Sequence, residues 1–167
     1  ILVWHGYLLS GTGSNIYTQA LVREWAGAGH DVTVFSQEPQ PDHFDVGSAA
    51  TVRPDVGGLL PVFVLDRYDG YRVKLVQDCS PEELSAWVEA NAAAMRARLP
   101  ADLVFVNHVI LGGPVGAATG APYVVKAHGS ELEYSMRGNA RLSGWGAEAL
   151  RGAGAVIAGF VRDHPAR

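Results

Sequence analysis

Three short segments hold the side chains best able to do chemistry: Gly11-Thr-Gly-Ser14, Asn107-His108 and Lys126-Ala-His128-Gly-Ser-Glu131. In the first, small residues stand just ahead of a stretch with helical spacing. Free backbone N–H groups at a helix start, together with the helix dipole, favour a phosphate or other anion there. Gly11 and Gly13 match the first two glycines of a dinucleotide-binding turn, but Ile16 stands where the third belongs, and its side chain is expected to hold the helix off the strand. Anion contact and a purely structural turn both fit this loop. In the last segment, His128 leaves an apolar run and precedes Gly129, which lets a ligand approach the backbone closely. Lys126 lies two residues earlier and so projects from the same sheet face. A lysine within an apolar strand needs a partner, which Glu131, Glu133 or a bound anion could supply. Taken alone, His128 fits a hydrogen-bonded structural histidine; its neighbours weigh toward ligand contact. Asn107-His108 is a softer case of the same kind, in which His108 either binds a ligand or caps the next turn. His5 either faces a cleft or caps the first strand, while His30 and His43 suggest no role.

The elements that must position these groups alternate strand and helix. Ile1–Trp4 reads as a buried strand, and Asn15 to about Gly27 or Gly29 as a helix with Ile16, Tyr17, Ala20, Leu21 and Trp25 on its inner face, capped by Ser14 or Asn15. Asp31–Ser36 is a second strand, so the first thirty-five residues or so form a βαβ unit with a right-handed crossover. Residues 37–58 are rich in Pro, Asp and Gly without periodicity and are expected to form a long surface excursion. Pro61–Leu65 and Tyr71–Leu75 read as strands joined in a hairpin by Asp69-Gly70. Ser80-Pro-Glu-Glu83 is a capping-box start for a helix running to Leu99, before Pro100. Leu103–Val106, Tyr123–Ala127 and Ala155–Ala158 are further strands, with helices over Gly112–Gly120 and Leu142–Arg151 between them. The expected fold is a single-domain α/β, three-layer sandwich around a mainly parallel sheet. In such a sheet, ligands bind beyond the carboxyl ends of the strands, where all three segments fall.

Composition narrows the classes. The 167 residues are 48% apolar, enough for one buried core, and 13 basic against 17 acidic residues leave a net charge of −4, which argues against nucleic acid as a partner. The single cysteine, Cys79, excludes a disulfide framework and suits a reducing, cytoplasmic setting. No apolar run approaches the roughly 18 residues that span a bilayer. No histidine pair has zinc spacing, so no metal is expected. Neither a Gly-x-Ser-x-Gly elbow nor a Gly-Lys-Ser/Thr loop occurs, which speaks against serine hydrolases and P-loop ATPases.

Ile-Leu-Val-Trp-His-Gly, then Gly-Thr-Gly-Ser-Asn-Ile-Tyr, Glu-Trp-Ala-Gly-Ala-Gly-His-Asp-Val-Thr-Val-Phe and Lys-Ala-His-Gly-Ser-Glu occur in that order. Together they resemble the N-terminal half of family 4 (group 1) retaining glycosyltransferases of the GT-B fold; residues from about 37 to 78 match poorly. The resemblance implies a Rossmann-like, acceptor-side domain over residues 1–167, with the donor-binding C-terminal domain absent and the fragment inactive alone. It implies that a sugar moves from a nucleotide-sugar donor to an acceptor, without metal or other cofactor, and it leaves room for peripheral membrane association of the full-length enzyme. By position it makes His128 the histidine touching the transferred sugar and Gly11, Gly13 and Ser14 the loop near the donor diphosphate and acceptor. Asn107 and His108 would line the acceptor pocket, with Lys126 and Glu131 as neighbours. A nicotinamide-dependent oxidoreductase and a non-catalytic sugar- or phosphate-binding module remain the alternatives.

Overall fold

Alternation along very short strands builds the three layers. The computed structural model describes residues 1–11 and 13–159. In β1 (Leu2–Trp4), Leu2 and Trp4 face one side of the sheet and Val3 the other, and β6 (Val104–Asn107) repeats this with Val104 and Val106 against Phe105. One face is covered by α1 (Ser14–Gly27), which buries Val22 and Ala26 against Val3, Val34 and Phe105. The other is covered by α2 (Pro81–Arg96), α3 (Gly112–Ala118) and α4 (Ala140–Gly152), around Trp4, Trp87, Met95, Ile110 and Leu142. Trp87 meets Trp4 edge to face at 5.5 Å, and the Trp4 indole N–H donates to Asn91 Oδ1 at 3.0 Å, so the buried polar edge of the indole is satisfied.

With β2 (Thr33–Phe35), β3 (Ala50–Val52), β7 (Tyr123–Ala127) and β8 (Ala155–Ala158), the main sheet runs β3-β2-β1-β6-β7-β8, all parallel. This is the doubly wound, Rossmann-like order, and its direction reverses between β1 and β6. Asn107 is in register with Lys126, which brings the polar ends of β6 and β7 side by side.

Several local expectations change. The segment 37–58 is no free excursion: β3 extends the sheet and Val46 is buried. The expected hairpin is a parallel pair instead, with β4 (Leu59–Val62) aligned on β5 (Arg72–Leu75). Phe63 explains it. Its ring is drawn under Tyr7 at 5.8 Å, so the chain leaves β4 into the core and must loop back before β5 begins. The Asp69-Gly70 turn does form, with Tyr71 N–H bonded to Tyr68 C=O at 3.1 Å, but it closes that return loop. Helix α1 is capped by Gly13 with no side-chain cap, and its buried positions are Thr18, Val22 and Ala26, while Ile16 is 54% exposed. Helix α2 ends at Arg96, and its capping box is present: Ser80 Oγ accepts from Glu83 N–H at 3.2 Å and Glu83 Oε2 from Ser80 N–H at 2.9 Å.

Gly112 is required where α3 begins. A Cβ built there would fall inside the van der Waals envelope of the Asn107 carbonyl and against the Trp4 ring. Gly112→Ala is therefore expected to destabilise the fold by about 3 kcal/mol or more, as overpacking against rigid backbone does. Thermal unfolding read by circular dichroism checks it, and Gly144→Ala, where a Cβ meets open space, is the neutral control.

Candidate functional site

Beyond the ends of β1, β6 and β7, the chain gathers His5, Asn107, His108, His128 and Glu131 in one cluster. The His108 and His128 ring centroids are 4.6 Å apart, and the His5 ring stacks 6.4 Å from His108. Helix α1 reaches the cluster through Thr18, whose buried hydroxyl lies 3.2 Å from His5 Nδ1 and accepts from the Asn107 amide at 3.3 Å.

The hydrogen bonds set the ring states. His5 Nε2 faces two acceptors, the Leu8 carbonyl at 3.1 Å and Asn15 Oδ1 at 2.9 Å, so this nitrogen carries the proton, and Nδ1 lies 3.2 Å from the Thr18 hydroxyl, which donates to the Ser14 carbonyl at 2.7 Å. The Asn15 amide in turn donates to the Ser10 carbonyl, which ties the loop before α1 to His5. Asn107 is oriented by its amide N–H groups, which donate to the Trp4 carbonyl and to Thr18, both at 3.3 Å. Its Oδ1 therefore points at His128 Nε2, 2.8 Å away, and that nitrogen must be the donor. His128 Nδ1 is left as an acceptor with no partner among the described residues, on a ring that is only partly buried. Burial, reinforced by the adjacent His108, pushes the His128 pKa down to about 3, so the ring is neutral at physiological pH.

Glu131 opens a single π-helical turn, Glu131–Met136, a rare element that often marks functional sites. Its carboxylate is fully buried: Oε1 accepts from His128 N–H at 2.9 Å and Oε2 from Val109 N–H at 2.8 Å. It thus clamps the chain just past β7 to the chain just past β6. Burial raises its pKa to about 7. His108 lies against it, Nδ1 to Oε2 at 3.2 Å, but the approach misses the ring N–H direction, and neither His108 nitrogen makes a hydrogen bond among the described residues. The ring sits instead among Phe63 at 4.9 Å and Tyr7 at 5.5 Å, and burial lowers its pKa to about 3. The backbone of His108 is left-handed, with φ of 73°, strain that ordinary loops rarely hold and that sites do.

Lys126 does project from the same face as His128: its Nζ lies 5.6 Å from the Tyr17 ring centroid, and Tyr17 meets His128 at 5.7 Å. Among the described residues, neither Glu131 nor Glu133, two of the three partners expected for it, forms a salt bridge with it. Nζ donates to the Ala127 carbonyl at 3.1 Å, Glu131 is spent on backbone N–H groups, and Glu133 pairs with Arg137 at 3.0 Å. Gly11 and Gly13 are exposed and Ser14 partly buried at the start of α1, one turn from Tyr17. Because Ile16 points outward, the steric argument against a dinucleotide turn loses its basis. His5 belongs to the cluster more firmly than its sequence context suggested; the signal was the buried polar pair it forms with Thr18, four residues into the helix. Tyr7 and Phe63 carried no chemical signal and enter only through the fold. Among the described residues, no group of three or more His, Cys, Asp or Glu side chains could hold a metal ion, and no helix is long and apolar enough to cross a membrane.

The family described as Glycosyl transferase 4-like domain matches residues 12–159. Among solved structures, the crystal structure of CalG4, the calicheamicin glycosyltransferase, is similar at 18% identity with a TM-score of 0.48. That similarity covers 90% of this chain and 42% of CalG4, so the chain spans less than half of that protein. No curated protein matches the sequence.

Proposed function

Because the chain belongs to the glycosyl transferase 4-like domain family, we propose that it is the acceptor-side, N-terminal domain of a retaining GT-B glycosyltransferase, working with a donor-binding domain to move a sugar from a nucleotide sugar to an acceptor. The observation that carries this reading is His128: a neutral ring at the mouth of the strand ends, whose tautomer is set by Asn107 so that Nδ1 can accept from a sugar hydroxyl. Glu131 and Asn107 are positioning residues in this scheme, one holding the His128 backbone and the other its ring.

Retention by attack on the face from which the phosphate departs needs no side-chain nucleophile. It needs the two substrates held in register and the leaving diphosphate stabilised. The first turn of α1 offers uncapped N–H groups behind Gly13 for that charge, and Lys126 adds a cation on the same side of the sheet. Neither requires a metal.

The test is a panel of nucleotide sugars supplied to a polypeptide carrying this chain with its donor-binding domain, alongside an NADH fluorescence titration. Release of nucleoside diphosphate coupled to acceptor glycosylation, without NADH binding, is expected; this chain alone should turn over nothing. Low-micromolar NADH affinity would favour the oxidoreductase reading instead, and sugar binding without turnover in the two-domain protein would favour a binding module.

A further inference from the structure

We propose that the groove between α2 and α4 is a self-association surface, where a second copy of this chain packs about a two-fold axis beside Trp145, an assembly independent of the transferase reading above. The groove exists because α3, which packs between those two helices, is short and small. Its largest side chain, Val115, is buried in the core, and only Pro114, Ala117 and Ala118 reach the groove floor. Leu84 and Val88 of α2 form one wall, and Leu142 and Trp145 of α4 the other. No residue of the histidine cluster lines it.

Twenty residues line the groove, about the number that one side of a specific interface engages. Only two of them are charged, Arg141 and Glu148. A continuous apolar surface with charges excluded from its centre, and with a half-buried tryptophan and an arginine present, has the composition of an interface core rather than of a solvated helix face.

The placement of the two charges selects the occupant. Both are exposed on α4, seven residues and so about 10 Å apart along its axis, on the stripe that also carries Trp145. Their midpoint falls between Gly144 and Trp145. A two-fold axis through that point runs α4 antiparallel to the same helix of the second copy, and brings Arg141 of each copy to Glu148 of the other. The same symmetry sets each Trp145 over the other copy's Gly144, where no side chain intervenes and a Cβ would meet nothing within 4 Å. Within the chain, neither charge forms an ion pair among the described residues. Arg141 gives one N–H to the Gln77 carbonyl at 2.9 Å, which leaves most of its fork for a carboxylate. A copy packed parallel would put like charges together, so the pair fixes direction and register while the apolar floor supplies the contact area.

Sedimentation velocity of this chain over concentrations from about 1 to 200 μM tests the assembly. A reversible monomer–dimer equilibrium with a Kd in roughly the micromolar range is expected, as for a small interface. Trp145→Ala should weaken it about 10-fold or more. Because that ring also touches the core, the deciding variants are at the exposed charges. Glu148→Arg and Arg141→Glu should each weaken the dimer about 10-fold by setting like charges opposite one another, and the double exchange Arg141→Glu with Glu148→Arg should restore it, all with Tm within a few degrees of the parent. A chain that is monomeric at every concentration overturns the inference. So does a dimer indifferent to the single charge reversals, or one that the double exchange fails to restore, since it forms through another face. The same pattern is expected of the polypeptide carrying the donor-binding domain; a monomer there, the result if a segment of the same polypeptide fills the groove, overturns the inference as well.

Discussion

Replacing His128 with alanine in the two-domain enzyme is expected to lower kcat about 100-fold, the scale on which a preorganised hydrogen bond at a reacting centre acts. The reason is differential. As the donor sugar takes on oxocarbenium character its hydroxyls become stronger donors, so a neutral acceptor at His128 Nδ1 gains in the transition state over the ground state. Stability should change little. The ring is only partly buried and makes one side-chain hydrogen bond, to Asn107, worth about 1 kcal/mol or a few degrees in Tm. Steady-state kinetics and thermal melts on the same preparations separate the two roles. A fall in activity no greater than the fall in folded fraction would make His128 a structural histidine.

The second large effect is loss of stability in mild acid. His5, His108 and His128 stay neutral in the fold down to about 3 but take up protons near 6.5 once unfolded, so the stability they contribute is full above 6.5 and is lost as pH falls. Glu131 works in the opposite direction. It keeps its proton up to about 7 when folded but loses it at 4.5 when unfolded, so its contribution is present at low pH and lost as pH rises. Between these limits the unfolded chain binds three protons on the histidines and the fold one on Glu131. A net uptake of about two protons corresponds to about 3 kcal/mol per pH unit. Tm should therefore drop by roughly 10 °C between pH 6.5 and 5. His108→Phe should reduce the slope by about half, since the ring already sits among Tyr7 and Phe63 and gives up no formed hydrogen bond. A Tm that is flat or rises over this interval would contradict the burial of the cluster.

The layers were legible because apolar runs such as Leu103–Val106 and Tyr123–Val125 are long enough to be buried strands, and because Ser80-Pro-Glu-Glu83 encodes its helix start locally. The polar groups at the strand ends were legible for the same reason, since a histidine directly after an apolar run has only one place to go. What failed was non-local. Asp69-Gly70 does make a turn, but whether that turn joins neighbouring strands depends on where Phe63 is buried, and that depends on Tyr7. Ile16 looked inward by spacing, yet Thr18 takes the inner position because His5 and Asn107 supply partners for its hydroxyl. The same non-local partnership hid Glu38. Two residues beyond Ser36, its carboxylate turns back to accept from Leu9 N–H in the first loop, a contact that no local pattern encodes.

The most direct test of the central claim is the anomeric configuration of the product. The polypeptide carrying this chain with its donor-binding domain is incubated with its nucleotide-sugar donor and an acceptor, and the new linkage is read by ¹H NMR from the anomeric coupling constant. The account predicts a glycoside with the same anomeric configuration as the donor, formed at a rate that collapses with His128→Ala. An inverted product, or a retained one formed at an unchanged rate without His128, would contradict it.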